Sequence, residues 1–370
     1  MRIDRRHFLA GGTALSALAA LGGRADAAPA SDPFAPQPGD WRNFEVTTRV
    51  EIAAPQGATR AWLPLPSVTA DDWLRPQGDH WTIEGGKAAM HRVGSYGVTL
   101  LAAEWPAGTQ KPLVEVVSRI ATRDRAIDLA RPASAPPLSA AERTLYTRPT
   151  KLLPTDGIVK ATADKITAGA TGDVAKARRI YDWIVLNTFR DPKTRGCGIG
   201  DVSFMLRTGD LGGKCADLNG LFVALARAAG LPARDLFGIR VAPSRFGYKS
   251  LGANSADITK AQHCRAEIYL SDFGWVPGDP ADVRKVALEE PPGNLPLDDA
   301  KVAAARQTLF GAWETNWIAF NVGHDIALPG STEAPIGFLM YPQGETAAGL
   351  LDCLDAPTFA YRITAKEISA

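Results

Sequence analysis

The sequence predicts an α+β protein in which an N-terminal antiparallel β domain precedes a domain of helices and strands. Short runs of alternating apolar and polar residues, separated by turn residues, occupy residues 44–119. Helical periodicity begins only after a Pro- and Ala-rich stretch at residues 131–138, which marks a domain boundary. Strand-like runs return at residues 234–241 and 263–280. A length of 370 residues is consistent with two domains.

The composition is that of a globular protein with ample core material, since 45% of the residues are hydrophobic and nine are Trp. The formal net charge is only +1, which gives no electrostatic reason to expect a nucleic-acid partner. No apolar run of the mature chain is long enough to cross a bilayer, so no transmembrane anchor is expected there.

The first 27 residues have the pattern of a targeting segment. Arg5 and Arg6 precede Phe-Leu, a modestly apolar region follows at residues 9–21, and residues 25–27 form an Ala-Asp-Ala cleavage site. The twin arginine and the glycine-diluted apolar region predict a Tat-type signal peptide over residues 1–27, and hence a periplasmic or secreted protein. A Sec signal with an accidental arginine pair is the alternative.

A linker and a β-sandwich-like domain are expected next. Residues 28–40 are rich in Ala, Pro and Ser, which is typical of a linker. Residues 44–52 alternate apolar and polar side chains, as a half-buried strand does. This pattern places a β-sandwich-like domain at residues 41–130. Its further strands are expected at residues 59–66, 81–83, 93–104 and 113–119.

The second domain is expected at residues 131–330, followed at residues 331–370 by a C-terminal extension that packs on the core. Two helices are predicted in its first part. One covers residues 157–168, and the other covers residues 173–189, where Asp173 suits the N-cap position.

Cys215 begins the most distinctive helical pattern of the chain. Apolar residues recur at three- and four-residue steps over residues 215–229, which predicts a helix with one buried face. In the first turn of a helix, unpaired backbone N–H groups and the helix dipole favour a thiolate. We therefore interpret Cys215 as a candidate nucleophile, with a small buried hydrophobic residue as the alternative. Gly212 and Gly213 are expected to leave room for a substrate, and Asp217 is interpreted as structural.

His263 and Asp279 complete a candidate catalytic set with Cys215. A thiol nucleophile needs a base to take its proton, and the base needs an acceptor that fixes its tautomer. His263 opens one predicted strand, Asp279 closes the next, and residues 271–274 form a turn between them. Because the start of one hairpin strand lies beside the end of the other, Asp279 is expected to reach His263.

These residues lie in three blocks that resemble the transglutaminase-like superfamily over roughly residues 155–285. The blocks are the Gly-Gly-Lys-Cys helix start with its following Gly-Leu-Pro-Ala-Arg, the histidine, and the segment from Tyr269 to Pro280. The resemblance implies a papain-like core with Cys215 as nucleophile, His263 as general base and acid, and Asp279 as the residue that orients His263. It is closest to bacterial exported members.

The chain departs from the family pattern in two ways. Many members continue the histidine as His-x-Trp-x-Glu; here Arg265 replaces the Trp, whereas Glu267 is present. Papain-type enzymes use a Gln before the cysteine in the oxyanion hole, and no Gln lies between residues 189 and 215. The oxyanion hole is therefore expected to use the backbone N–H of Cys215 and another donor.

The predicted reaction is acyl transfer on a peptide or amide bond through a thioester on Cys215. With water as acceptor the protein is a peptidase or amidase, and with an amine it is a protein-cross-linking transglutaminase. Hydrolysis is favoured because nothing in the sequence indicates a site for a lysine donor. A catalytically inactive binding or scaffold module of the same fold is a further alternative. The expected substrate is a protein, a peptide or a cell-wall peptide.

No cofactor and no metal ion is expected. The sequence lacks Cys-x-x-Cys, His-x-x-x-His and an acidic calcium loop. The glycine-rich stretch at residues 196–201 is not a phosphate-binding loop, because the Gly-Lys-Ser/Thr ending is absent. Cys215 is expected to be a free thiol, whereas a bridge from Cys197 or Cys264 to Cys353 is left open.

Two further patterns have competing interpretations. His324 and Asp325 could form a second catalytic pair, although a turn or strand contact is favoured. Trp313, Trp317 and Phe320 recur at helix-like spacing. Core packing is the favoured interpretation of these aromatic residues, and a carbohydrate-binding platform is the alternative.

Overall fold

Most strands of the computed structural model, which describes residues 34–369, belong to three antiparallel sheets. The predicted signal peptide lies outside the described residues, as do residues 28–33 of the predicted linker. The strands are β1 (Arg42–Glu51), β2 (Thr59–Pro64), β3 (Leu74–Glu84), β4 (Lys87–Val93), β5 (Val98–Trp105), β6 (Leu113–Thr122), β7 (Arg125–Ala126), β8 (Phe189–Arg190), β9 (Gly212–Gly213), β10 (Ala233–Arg240), β11 (Gln262–Leu270), β12 (Gly274–Gly278), β13 (Ala312–Trp313), β14 (Trp317–Asn321), β15 (Gln343–Thr346), β16 (Gly349–Leu350) and β17 (Tyr361–Ile368).

The helices lie mainly in the middle of the chain, and none in the described part is long and apolar enough to cross a membrane. A 3₁₀ turn covers Lys249–Leu251. The α-helices are α1 (Ala140–Thr147), α2 (Gly157–Thr167), α3 (Asp173–Asn187), α4 (Val202–Thr208), α5 (Cys215–Ala228), α6 (Pro280–Glu289), α7 (Ala300–Thr308) and α8 (Ala356–Phe359). The N-cap of α3 is Gly172, so the prediction of Asp173 at that position is wrong; Asp173 is the first helical residue.

Two sheets contain the strands predicted for the N-terminal region. One has the strand order β17-β1-β6-β3, and the other has the order β16-β15-β2-β5-β4. Their apolar side chains share one buried cluster, which includes Phe44, Leu63, Leu101 and Val114. The alternation of polar and apolar residues in β1 and β6 follows from this arrangement, because only one face of each strand is buried.

The end of the chain returns to these two sheets. Strand β17 pairs with β1, and β15 pairs with β2, both antiparallel. The C-terminal segment therefore supplies an edge strand to one sheet and an inner strand to the other. Near the other terminus, Phe34 of the predicted linker is buried, and its ring centroid lies 4.6 Å from that of Tyr248. The division into domains at residues 41–130 and 131–330 stays a prediction.

The third sheet has the order β12-β11-β10-β14, and α5 packs against β11 and β10. Every residue of α5 is buried. Helices α2, α3 and α6 cover its other sides. The predicted hairpin is present, with Ala266 of β11 opposite Gly278 of β12. Mixed helices and antiparallel sheets confirm the predicted α+β class.

A buried ionic cluster joins this sheet to the segment that follows the N-terminal strands. Glu267 on β11 is fully buried. Its carboxylate accepts hydrogen bonds from Arg125 of β7 and, at 2.6 Å, from Nε of Arg234 on β10. Burial raises the pKa of Glu267, but the two guanidinium groups outweigh burial and leave the pKa below its usual value.

Replacing Glu267 by Gln should destabilise the fold by about 3–5 kcal/mol, because two buried guanidinium groups would lose their counter-charge. Urea unfolding near pH 7 measures this loss. As a control, Glu115→Gln removes an exposed carboxylate 3.7 Å from Arg49 and should cost less than about 1 kcal/mol. Equally small losses of stability in the two variants would contradict the stabilising role assigned to Glu267.

The contribution of Glu267 should also depend on pH. Because its folded pKa is lowered, the stabilisation is present above the unfolded pKa of about 4.3 and is lost as pH falls through the folded value. The stability gap between the wild type and Glu267→Gln should therefore shrink in acid.

Candidate active site

Cys215 is the first residue of α5 and is 3% exposed. The backbone N–H of the next residue, Ala216, donates to the carbonyl of Cys197 at 2.8 Å. The side chain of Asp217 accepts from the backbone N–H groups of Lys214 and Gly200, each at 2.9 Å. Asp217 therefore ties the loop before α4 to the start of α5, and the structure places it in the structural role predicted for it.

The glycines before Cys215 make room for the protein's own side chains. A Cβ atom on Gly213 would lie 2.5 Å from Cβ of Asp217, and one on Gly212 would lie 2.4 Å from the ring of Phe189. The prediction that these glycines leave room for a substrate is therefore wrong. Gly198, at φ +93°, is equally constrained, because its Cβ would overlap the Asp217 carboxylate.

The structure brings Cys215, His263 and Asp279 together. His263 lies near the start of β11, and its Nε2 is 2.8 Å from Oδ2 of Asp279. Asp279 follows β12 and is the N-cap of α6. Cys215 and His263 line the same cavity, and the histidine lies close enough to lower the pKa of the Cys215 thiol. Because Nε2 faces Asp279, Nδ1 is the ring nitrogen left for the thiol.

Two further side chains hold this pair in place. Asn219, one turn after Cys215, donates from Nδ2 to Oδ1 of Asp279 at 3.0 Å and to the carbonyl of Cys264 at 2.8 Å. Trp317 of β14 donates from Nε1 to the carbonyl of His263 at 2.8 Å. The helix, the hairpin and β14 thus fix the histidine from three directions.

The surroundings of Cys215 favour its thiolate. Burial alone would raise the pKa, but hydrogen bonds with Cys197, Cys264 and His263 outweigh it and lower the pKa of Cys215 well below the usual value. The same contacts and burial raise the pKa of Cys197 and of Cys264 well above the usual value. Those two residues therefore stay thiols, and the S–H of Cys197 donates to the carbonyl of Gln262 at 3.3 Å.

A second carboxylate acts on His263. Oδ2 of Asp282 lies 3.4 Å from Nε2 of His263. One terminal nitrogen of Arg240 lies 2.6 and 2.8 Å from the two Asp282 oxygens. Burial lowers the pKa of His263, but Asp282 and Asp279 outweigh it and raise the pKa to about 9. These shifts favour a histidinium beside a Cys215 thiolate at neutral pH.

Sequence analysis missed Asn219, Asp282 and Arg240 as residues of this site. The first two had a usable signal: Asn219 is four residues after Cys215, and Asp282 is three after Asp279, so each shares a helix face with a predicted site residue. Arg240 lies at the end of β10 and had no comparable signal in the sequence.

Arg265, which stands where many family members have Trp, is buried between two tryptophans. Its guanidinium carbon lies 5.2 Å from the ring centroid of Trp313 and 4.9 Å from that of Trp317. Its Nε lies 3.6 Å from Oδ2 of Asp279. Burial lowers the pKa of Arg265 to about 10. The substitution thus adds a positive charge behind Asp279.

The other sequence candidates have partners other than Cys215. His324 is buried, and its Nε2 lies 3.1 Å from Oδ2 of Asp235 on β10. Asp325 instead accepts a hydrogen bond from the backbone of Lys151. Trp313, Trp317 and Phe320 are at most 3% exposed, which confirms core packing and leaves no platform for a carbohydrate.

All four cysteines are free thiols in this structure, so the bridge that the sequence left open is not formed.

One cluster has metal-ligating side chains. His263, Asp279 and Asp282 place ligand atoms within 4.8 Å of one another. Their lone pairs already have protein partners, since Asn219 binds Asp279 and Arg240 binds both oxygens of Asp282. The donor set therefore suits a histidinium better than a metal cation.

Cys215 and His263 line a cavity of about 540 Å³ that is open to solvent. Among residues 34–369, the backbone N–H of Cys215 has no protein acceptor. The hydroxyl of Tyr341 also lines the cavity and is held protonated, because burial raises its pKa. The Cys215 thiol, the His263 ring, a backbone N–H without a protein acceptor and space for a ligand thus meet at one wall.

Comparisons with known proteins agree with this geometry. A sequence model of the transglutaminase-like superfamily matches residues 160–280, which include Cys215, His263 and Asp279. An uncharacterized protein of Haemophilus influenzae is 38% identical over 346 residues, which cover 89% of this chain and 92% of that one. The chain belongs to the transglutaminase-like superfamily.

Solved structures add information on the fold. A Cytophaga hutchinsonii protein, provisionally described as a cysteine protease, has a TM-score of 0.50 and 14% identity, and the match covers 89% of this chain and 99% of that one. The periplasmic domain of TgpA from Pseudomonas aeruginosa has a TM-score of 0.33 and 16% identity, with 64% of this chain and 94% of that one covered. Together with the sequence-model match, the helices and antiparallel sheets described above show a transglutaminase-like fold, with a papain-like core and an N-terminal antiparallel β region.

Iodoacetamide should alkylate Cys215 faster than the other cysteines, and its rate at pH 6 should stay within about threefold of that at pH 7.5. An ordinary thiol loses about tenfold in rate per pH unit below its pKa. His263→Ala should slow the reaction at least about tenfold and restore the steep pH dependence. Peptide mass spectrometry measures the rate of alkylation at each cysteine.

The matched control is His91→Ala, which replaces an exposed histidine on β4 and should leave the alkylation rate of Cys215 unchanged. Equal normalised rates for Cys215 and the partly exposed Cys353 would contradict an activated thiol.

Asp282→Asn should lower the pKa of His263 from about 9 by about one unit or more, because it removes a negative charge 3.4 Å from Nε2. Histidine ring resonances followed by NMR titration measure this, with His263 assigned from its absence in His263→Gln. Asp164→Asn, on the exposed side of α2, is the control. An unchanged midpoint in Asp282→Asn would show that Asp282 does not act on the histidine.

Proposed function

We propose that this protein is an exported cysteine-dependent enzyme that hydrolyses peptide or amide bonds through a thioester on Cys215. One observation carries the proposal: a buried helix-start thiol of lowered pKa lines an open cavity together with His263, which Asp279 holds at 2.8 Å. In this proposal Cys215 is the nucleophile, His263 the general acid and base, and Asp279 the residue that orients His263.

In the first half of the reaction, the Cys215 thiolate attacks the carbonyl carbon and the carbonyl π electrons move to its oxygen. The free backbone N–H of Cys215 can donate to this oxyanion, with the Tyr341 hydroxyl as a second candidate donor on the cavity wall. His263 gives its Nδ1 proton to the leaving nitrogen as the C–N bond breaks, which leaves a thioester and a free amine.

In the second half, neutral His263 takes a proton from water while the water oxygen attacks the thioester carbon. Collapse of the intermediate breaks the C–S bond, releases a carboxylic acid and restores the thiolate beside the histidinium. Asp279 stays ionised and fixes the ring in the required orientation throughout.

The charges of the cavity favour water over a lysine side chain as the acceptor. Arg190, Lys214, Lys260 and Lys285 line the cavity together with Arg240. An incoming ammonium group would meet these cations, whereas a neutral water molecule would not. We therefore favour hydrolysis over protein cross-linking as the reaction.

The proposed location is the periplasm or the outside of the cell. This part of the proposal rests on the twin-arginine segment at residues 1–27. The proposed substrates are proteins, peptides or cell-wall peptides.

Incubating the purified protein with a peptide library and with peptidoglycan fragments, followed by mass spectrometry, tests the reaction. Cys215→Ala should abolish product formation, and Asp279→Asn should reduce the rate at least about tenfold, because the histidine loses its orienting charge. Cys353→Ala is the control cysteine variant and should keep full activity. Turnover that survives Cys215→Ala would overturn the mechanism.

Adding a primary amine separates hydrolysis from cross-linking. Free acid should remain the main product in the presence of a fluorescent amine. Amide product in excess over free acid would instead favour a transglutaminase activity.

A further inference from the structure

The cavity beside Cys215 has an unbalanced set of charged side chains. Besides His263, five of the residues that line it carry positive charge, and Asp257 is the one acidic lining residue in the described part of the chain. Asp257 is already bound, since its carboxylate accepts hydrogen bonds from Thr259 and, at 3.0 Å, from Nε of Arg362. The positive residues are Arg190, Lys214, Arg240, Lys260 and Lys285.

Two of these cations have partners that lie behind the cavity wall. Arg240 binds Asp282, and Arg190 binds Glu289. These carboxylates keep the guanidinium groups in place and offset part of their charge. Neither Asp282 nor Glu289 lines the cavity, so the surface that a ligand meets is still cationic.

The positive charges of the three lysines are offset by nearby carboxylates less than those of the two arginines. Within residues 34–369, no carboxylate oxygen lies within 4.0 Å of the Lys214 or Lys260 ammonium group. Lys285 has an 18% exposed side chain and a single carboxylate at 3.7 Å, that of Glu289. Burial and the nearby Arg240 lower the pKa of Lys285 to about 8. A buried ammonium in this state would be stabilised by an anion in the cavity.

We propose that the cavity binds a carboxylate of the substrate beside the scissile bond, so that the enzyme prefers acidic peptides over neutral or basic ones. Lys214 precedes the nucleophile directly, and Lys260 and Lys285 line the same cavity from the β11 side and from α6. The carboxylate is bound by charge rather than by a bidentate fork, because the three groups are lysines. This inference rests on the proposed function, since it names the substrate class of the same site.

The two forms of one alkylating agent test the inference without a known substrate. Iodoacetate is an anion and iodoacetamide is its neutral analogue. Both form the same C–S bond to Cys215 and release iodide. The rate ratio of iodoacetate to iodoacetamide at Cys215 should exceed that of a neutral cysteine derivative, N-acetylcysteine amide, by about tenfold or more at low salt. Added 0.5 M NaCl should reduce the excess.

Substitutions of the lysines test whether these residues cause the excess rate with iodoacetate. Lys285→Met keeps the length of the side chain and removes its charge, and Lys260→Gln changes an exposed residue with no ion-pair partner. Each should lower the ratio severalfold, and the double variant should lower it further. Lys111→Gln removes an exposed lysine that does not line the cavity and should leave the ratio unchanged.

The source of the carboxylate is tested by protection of Cys215 from iodoacetamide. Acetyl-Glu-amide against acetyl-Gln-amide reports a side-chain carboxylate, and acetyl-Ala-Ala against its amide reports a terminal one. Protection by either acid but by neither amide supports the inference and names the source.

The outcomes separate the two proposals. Slow alkylation by both reagents would overturn the proposed nucleophile itself. Fast alkylation by iodoacetamide with no excess for iodoacetate would overturn the carboxylate site and leave the nucleophile standing. An excess that the lysine variants do not change would assign the preference to the histidinium alone, and would also overturn the role of the lysines.

Discussion

The site depends on the complete burial of α5. No face of this helix is exposed, so its position is fixed by packing on all sides and its N-terminus cannot shift relative to β11. A buried helix start must have its backbone N–H groups satisfied by other parts of the chain. The Cys197 carbonyl and the Asp217 carboxylate meet this need around the nucleophile, yet the N–H of Cys215 is left free. The same packing that stabilises the helix therefore prepares one donor for an oxyanion.

Burial also explains why so many arginines surround the active site. The carboxylates of Glu267, Asp279 and Asp282 are at most 1% exposed, and an uncompensated buried carboxylate would be protonated at neutral pH. Arg240 and Arg234 each face one of them. The negative charge that remains near His263 raises the pKa of the histidine, and a histidinium in turn favours the Cys215 thiolate. Arg265 offsets part of that charge at Asp279. The Arg that replaces the Trp of many family members therefore changes the charge near Asp279 while the position stays buried.

The sequence could predict the features that depend on local pattern. The helix at Cys215 follows from apolar spacing, and the proximity of His263 to Asp279 follows from one hairpin, because both depend on contacts within about twenty residues of chain. The pairing of β17 with β1 and of β15 with β2 could not be predicted this way. Strand partners far apart in sequence are chosen by global packing, and the alternation within a strand such as β1 does not show which strand it pairs with. The Arg240–Asp282 pair could not be predicted from the sequence for the same reason, since it joins the end of a strand to a helix across the core.

The glycines before the nucleophile show how a local pattern can be assigned the wrong cause. A Gly-Gly pair beside a thiol suggests space for a ligand, but Asp217 and Phe189 fill that space. The close approach brings β9 against β8 and lets the Asp217 carboxylate reach three backbone N–H groups. Space for the ligand lies instead on the side of Lys260 and Tyr341. The cavity beside Cys215 is thus lined partly by segments distant from it in sequence, which a local pattern around Cys215 could not reveal.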